Sequence, residues 1–85
     1  MARTQRTLET VLSGRSDRNV RFEDLRRLVN ALGFNERIKG DHHIYSREDV
    51  EEIINLQPGA AGVAKPYQVR QVRRIVTKYA MGFDQ

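Results

Sequence analysis

The sequence contains no cysteine and no tryptophan, and only two histidines and two prolines among its 85 residues. The absence of cysteine excludes a disulfide framework, a thiolate metal site and a cysteine nucleophile. No apolar run approaches the ~20 residues that span a bilayer, and the N-terminal residues lead into no signal-peptide pattern. We therefore expect a soluble protein of the cytoplasm with no membrane partner and no cofactor.

Positive charge exceeds negative charge in this chain. Fifteen lysines and arginines stand against eleven aspartates and glutamates, which gives a formal net charge of +4. That balance favours a polyanionic partner, above all nucleic acid, or else an acidic protein. A chain of 85 residues is expected to form one domain with a thin hydrophobic core.

Two segments have the apolar spacing of amphipathic helices. Between residues 22 and 32 the apolar residues recur every three or four positions, acids occupy the first turn, and Gly33 follows the end. A second apolar stripe begins after Pro66, which suits the first turn of a helix, and runs to Tyr79. A shorter helix over 3–12 is predicted from three apolar anchors, Leu8, Val11 and Leu12.

The apolar period changes between these two helices. Residues 34–39 are predicted to be extended, Gly40 and Asp41 to form a hairpin-type turn, and 43–46 to form a second strand. Residues 50–57 are ambiguous between helix and strand, although their β-branched pair and the Pro-Gly that follows favour a strand. This order predicts an α+β fold, with an antiparallel sheet and helices packed on one of its faces. The other face or an edge is left for a partner.

His42 and His43 are the candidates for proton transfer, because histidine is the side chain whose ordinary pKa, about 6.5, lies near neutral pH. Neighbours on a strand point to opposite faces, so we expect one exposed and one partly packed histidine, in an order that the sequence leaves open. Three interpretations compete: structural or surface histidines, a metal site, and a general acid/base beside phosphate-binding cations. The metal site is the weakest because no second ligand stands at a workable spacing.

The third interpretation is an RNA-cleaving site. A histidine would assist the 2′-OH of RNA in attacking its own phosphodiester, so that no metal is needed. The cations that would hold the RNA backbone are Arg37, Lys39, Lys65, Arg70, Arg74 and Lys78. The last three recur every four residues and form a basic stripe on the final helix, a pattern that is more often only a solvated face.

Four stretches of this chain, in order, resemble the HicA family of mRNA interferase toxins. They are Phe22–Phe34, Arg37–Tyr45, Val50–Pro58 and Lys65–Arg73. The resemblance implies a small double-stranded-RNA-binding-like fold, α-β-β-β-α, in which 50–57 is the third strand. It divides the chain into an N-terminal extension (1–19, a short helix and a loop), a HicA-like domain (20–80) and a tail (81–85).

The resemblance implies a metal-independent endoribonuclease that cleaves messenger RNA and is held inactive by a HicB-type antitoxin. The catalytic histidine of the family ends a Gly-Ser-x-His motif and falls on His43, which makes His42 the weaker catalytic candidate, while Gly40 matches the turn glycine of the RNA site. Where the family has serine this chain has Asp41, whose carboxylate favours the imidazolium form and repels phosphate. The alternatives are a non-catalytic RNA-binding module on the same fold and a purely structural interaction protein.

Overall fold

A computed structural model describes residues 2–83, which form three α-helices and a three-stranded antiparallel sheet in the order α-α-β-β-β-α. The helices are α1 (Ala2–Ser13), α2 (Phe22–Ala31) and α3 (Pro66–Lys78). The strands are β1 (Asn35–Lys39), β2 (His42–Arg47) and β3 (Val50–Leu56). The predicted α+β class is confirmed, and the ambiguous segment forms a strand, Val50–Leu56, rather than a helix.

Three residues, Met1, Asp84 and Gln85, lie outside the described part of the chain, so the last two residues of the predicted tail are not considered further. Among residues 2–83, no helix combines the length and the apolarity that crossing a bilayer requires.

The sheet has the strand order β1-β2-β3, with both neighbouring pairs antiparallel. In the register of β1 and β2, Lys39 lies opposite His42, and Glu36 lies opposite Tyr45. Because side chains alternate between the two faces of a strand, His43 shares a face with Glu36 and Tyr45. Lys39 and His42 share the opposite face.

The helices cover one face of this sheet and leave the other exposed. On the covered face Tyr45, Ile54 and Leu56 are at most 1% exposed and pack in one cluster with apolar residues of all three helices. On the other face Ile53 is 54% exposed. We call this second face the open face; it carries Arg37, Lys39, His42, Ile44, Ile53 and Asn55.

The N-terminal extension forms α1, which contacts both α2 and α3. Its buried residues are Thr7, Leu8 and Val11, whereas Leu12, predicted on the apolar side, is 44% exposed. The helix is therefore rotated about its axis from the predicted orientation, so that Thr7 rather than Leu12 faces the core. Burial of Thr7 is possible because its hydroxyl donates to the backbone carbonyl of Arg3 at 3.1 Å.

The loop between β3 and α3 is held by backbone hydrogen bonds to the segment before α2. The Ala64 N–H donates to the carbonyl of Val20 at 2.7 Å, and Arg21 forms a β-bridge with Val63. Within the loop, the Gly59 N–H donates to the Val63 carbonyl at 3.0 Å. A Cβ atom on Gly59 would lie 2.4 Å from that same oxygen, so the backbone contact requires glycine for reasons of space.

We predict that Gly59→Ala destabilises the fold, because the carbonyl oxygen cannot move away without losing its hydrogen bond. The free energy of unfolding should fall by about 1–3 kcal/mol, the range for an overpacked site. Urea denaturation measures this change. Gly82→Ala is the matched control, since its Cβ would meet nothing within 4 Å. A Gly59→Ala protein that unfolds at the wild-type midpoint would contradict this account of the loop.

Candidate functional site

The two histidines lie on opposite faces of the sheet, as alternation along β2 predicts. His42 lies on the open face, with 46% of its side chain exposed. His43 lies on the helix-covered face, with 13% of its side chain exposed. His42 is therefore the histidine that a large substrate can reach, which the sequence leaves undecided.

His42 is held by side chains that are distant from it in the sequence and close to it in the fold. Its Nδ1 lies 3.2 Å from Oδ1 of Asn55 on β3. Its Nε2 lies 3.3 Å from the amide nitrogen of Gln57, one residue beyond that strand. The Lys65 ammonium in turn donates to Oε1 of Gln57 at 3.4 Å. These four side chains form a chain of contacts across the sheet and the loop before α3.

This chain of contacts indicates which of the two imidazole nitrogens of His42 carries the proton. An ammonium only donates, so Lys65 turns the amide oxygen of Gln57 toward itself and the NH₂ group toward His42. Nε2 must then accept, which leaves Nδ1 as the protonated nitrogen that donates to Asn55. The contacts thus fit the tautomer with its proton on Nδ1, in which Nε2 lies on the exposed side of the sheet as the acceptor that a general base requires.

Two of the sequence-predicted cations share the open face with this imidazole, and a third contacts it through Gln57. Lys39 lies directly opposite His42 in the strand register, and Arg37 follows it two positions away on the same face. Lys65 reaches the ring through Gln57. None of the three cations forms an ion pair with another residue in 2–83, so their charges remain open to an anionic ligand.

The turn between β1 and β2 adds one negative charge to the site. Gly40 has φ 62°, a left-handed conformation that glycine adopts readily, and Asp41 follows it. The Asp41 carboxylate is 70% exposed, and its Oδ1 lies 3.9 Å from Nε2 of His42. An incoming phosphate therefore meets a carboxylate beside the nitrogen that would act as base.

The basic stripe of α3 lies apart from the open face. Lys78 is bound on the helix-covered side by Glu52 of β3, with Nζ 2.8 Å from Oε2. The Tyr79 hydroxyl donates to the other oxygen of Glu52 at 2.7 Å, and the hydrogen bonds from Lys78 and Tyr79 lower the pKa of Glu52 to about 2. Arg70 and Arg74 are exposed on the same helix. These predicted RNA-binding residues are therefore not brought together with His42.

His43 belongs to a polar cluster between the sheet and α2 that is built on Glu36. Oε2 of Glu36 accepts a hydrogen bond from Nε of Arg26 at 2.6 Å and one from Nδ1 of His43 at 3.3 Å. The hydroxyl of Tyr45 donates to the same oxygen, and Nη2 of Arg26 donates to Oε1 at 3.1 Å. The ring of Phe22 packs edge-on against the imidazole of His43 at a centroid distance of 5.1 Å. These contacts give His43 a structural role.

The cluster keeps Glu36, Arg26 and Tyr45 each in one protonation state around neutral pH. The Arg26 guanidinium, with the hydrogen bonds from Tyr45 and His43, lowers the pKa of Glu36 to about 2. Glu36 in turn raises the pKa of Arg26, while burial and the same carboxylate raise the pKa of Tyr45. A carboxylate, a guanidinium and a phenol therefore persist side by side across the physiological range.

We predict that this cluster makes the fold sensitive to acid. Glu36 has an ordinary pKa of 4.5 and a folded-state pKa of about 2, so its ionisation stabilises the fold above about pH 4.5 and ceases to do so as the pH falls toward 2. Between pH 6 and pH 2.5, the free energy of unfolding should fall by about 2–3 kcal/mol more in the wild type than in Glu36→Gln. Urea unfolding at several pH values measures the difference.

Glu23→Gln is the matched control for that experiment. Glu23 contacts the same guanidinium, that of Arg26, at 3.3 Å, but its side chain is 54% exposed. A pair so exposed contributes little, so this variant should keep the acid sensitivity of the wild type. Wild-type and Glu36→Gln proteins that lose stability equally on acidification would contradict the role assigned to Glu36.

Comparison with known proteins adds no identification, because no family model, no curated protein and no solved structure matches this chain. The resemblance to the HicA toxins therefore remains a prediction from the sequence. Within residues 2–83, no three histidine, aspartate or glutamate side chains lie close enough together to hold a metal ion.

Proposed function

We propose that this protein is a metal-independent endoribonuclease that cleaves messenger RNA and acts as the toxin of a type II toxin–antitoxin pair. One observation carries the proposal: an exposed histidine, His42, has contacts that fit the tautomer with its proton on Nδ1, so that Nε2 lies on a face that carries Lys39 and other unpaired cations. The geometry supports the chemistry, and the resemblance to the HicA toxins supports the substrate and the biological role.

In the proposed reaction RNA supplies its own nucleophile. A ribose 2′-OH takes the place of the Gln57 amide at Nε2 of His42 and gives its proton to that nitrogen. The 2′-oxygen forms a bond to the adjacent phosphorus while the bond from phosphorus to the 5′-oxygen breaks, and the 5′-oxygen takes a proton from solvent. The products are a 2′,3′-cyclic phosphate and a 5′-hydroxyl.

The neighbouring side chains are suited to support this transfer. Oδ1 of Asn55 accepts the hydrogen bond from Nδ1–H, so it fixes the tautomer and stays hydrogen-bonded when the ring becomes an imidazolium. Lys39 and Lys65 are the cations that would face the extra negative charge on the phosphoryl oxygens in the transition state.

Between the two histidines, the geometry favours His42 as the base, the reverse of the order that the family motif implies. Nδ1 of His43 is bound to Glu36, and its ring packs against Phe22 beneath α2. Only 13% of the His43 side chain is exposed, so a ribose within an RNA chain has little access to its imidazole. The imidazole of His42 is more accessible, because 46% of its side chain is exposed.

We predict that His42→Ala lowers the rate constant of RNA cleavage by at least about 100-fold, the usual contribution of a positioned general base, without changing the urea midpoint. His43→Ala should instead lower stability by about 1–3 kcal/mol, since it removes one hydrogen bond to the charged Glu36 carboxylate and the packing against Phe22, and should cleave in proportion to its folded fraction. Purified proteins are incubated with RNA in EDTA, and the fragments are tested for 2′,3′-cyclic phosphate ends. A fully active His42→Ala protein, or cleavage that requires an added divalent metal, would refute the proposal.

Removing the negative charge at the turn should accelerate cleavage. Asp41→Ser and Asp41→Asn are expected to raise the rate by about 2- to 10-fold at low salt, and by less at high salt, because a carboxylate near the reacting nitrogen repels phosphate. Asp49→Asn is the matched charge control: its carboxylate is bound by Arg47 at 2.8 Å, beyond the far end of β2. A rate that falls in both Asp41 variants would show that this carboxylate assists the reaction.

The same carboxylate favours a second candidate function, a non-catalytic RNA-binding module. Asp41 occupies the turn where the HicA motif has serine, and its Oδ1 lies 3.9 Å from Nε2 of His42. Salt-dependent RNA binding without fragments, in the wild type and in Asp41→Ser alike, would support this alternative.

The antitoxin partner rests on the resemblance alone. We expect the product of an adjacent reading frame to co-purify with this protein and to block cleavage.

A further inference from the structure

The N-terminal extension brings a second group of cations to the surface. Three adjacent grooves of about 280–330 Å³ surround residues 14–21, the loop that joins α1 to α2. Neighbouring grooves share lining residues, so they form one continuous surface, which we call the arginine band. Its arginines are Arg3, Arg6, Arg15, Arg18, Arg21 and Arg70.

The positive charge of the arginine band is largely unneutralised. Three acidic residues also line it, and two of them are already bound. Asp17 accepts hydrogen bonds from the guanidinium of Arg73 at 2.8 and 3.0 Å, and Asp24 accepts one from Arg3 at 3.1 Å. Of the three acidic residues, only the exposed Glu9 is not bound by an arginine within residues 2–83. The five other arginines of the band are exposed, and none of them forms an ion pair within residues 2–83.

The other lining residues favour a sugar–phosphate backbone over a protein surface. Thr10, Ser16 and Asn19 supply hydroxyl and amide groups, which together with arginine are the side chains that contact phosphates and sugars. Val20 and Pro66 are the main apolar lining residues, and no aromatic side chain lines the grooves. A protein partner would need a desolvated apolar centre with aromatic anchors, which this surface does not offer.

The arginine band adjoins the histidine site at the start of α3. Pro66 and Arg70 line one of its grooves. Lys65, the residue before Pro66, belongs to the chain of contacts that holds His42. The sequence neighbours Lys65 and Pro66 thus link the two surfaces, although Arg70 itself does not contact the histidine site.

We propose that the arginine band binds the phosphate backbone of single-stranded RNA several nucleotides away from the bond that is cleaved. This inference rests on the proposed RNA-cleaving function and gives the N-terminal extension a role in it. The band supplies affinity for long RNA and takes no part in the chemistry at His42. An RNA too short to reach the band gains nothing from it.

The test compares two triple variants at Arg6, Arg15 and Arg18, all changed to Gln or all changed to Lys. Binding of a fluorescent 2′-O-methyl oligouridylate of about 20 nucleotides, which cannot be cleaved, is measured by anisotropy over a range of salt concentrations. The Gln variant should bind at least about 10-fold more weakly at low salt, and its plot of log Kd against log salt should lose about 2 units of slope. The Lys variant keeps the charge and should keep most of the slope.

A single-site comparison controls for net charge. Arg27 is exposed on α2 and lines none of the three grooves, so Arg27→Gln should change the Kd less than Arg15→Gln does. Cleavage of a trinucleotide should proceed at the wild-type rate in the triple Gln variant. A wild-type salt slope in that variant would overturn the proposal. So would polyglutamate that binds the band more tightly than the oligonucleotide does, since that result assigns the surface to an acidic protein.

The binding measurement is independent of catalysis, because the oligonucleotide has no free 2′-OH. Failure of the cleavage proposal would appear as an active His42→Ala protein or as an inactive wild type. Failure of the inference about the arginine band would appear as unchanged RNA affinity in the triple Gln variant. The two outcomes are therefore distinguishable.

Discussion

The carboxylate of Glu36 is the contact on which the arrangement of this protein depends. It binds Arg26 of α2 with both oxygens and accepts hydrogen bonds from His43 and Tyr45 of the neighbouring strand. It therefore joins the helical layer to the edge of the sheet, on the face of β2 that also turns Tyr45 into the apolar core. Since adjacent side chains on a strand alternate, a face that turns His43 inward places His42 outward. The core and the polar cluster on one face thus leave His42 exposed on the other.

This division separates stability, chemistry and binding in a small molecule. The covered face holds the apolar core and the Glu36 cluster, and the charges there are satisfied. The open face carries an accessible imidazole beside unpaired cations, an arrangement that adds little to stability and suits a polyanion. The helical side adds the arginine band around the 14–21 loop. In the proposed function, affinity for RNA and the transfer of a proton then depend on different residues.

Local patterns in the sequence predicted α2 and α3, because each has an uninterrupted apolar stripe, whereas periodicity left β3 ambiguous. They did not predict which histidine is exposed, since the contacts of His43 come from Glu36 and Phe22 in other elements. No sequence motif marks Asn55 or Gln57 as a site residue, because both contact His42 only through the pairing of β2 with β3. Long-range contacts of this kind cannot be read from periodicity.

The most direct test of the central claim is an NMR titration of the two imidazole Hε1 resonances with uncleavable 2′-O-methyl RNA. If Glu36 holds His43 inward, the resonance of His42 should shift or broaden on addition of RNA, while that of His43 stays unchanged. A shift confined to His43 would contradict the account, because the RNA would then be meeting the histidine that is placed here beneath α2.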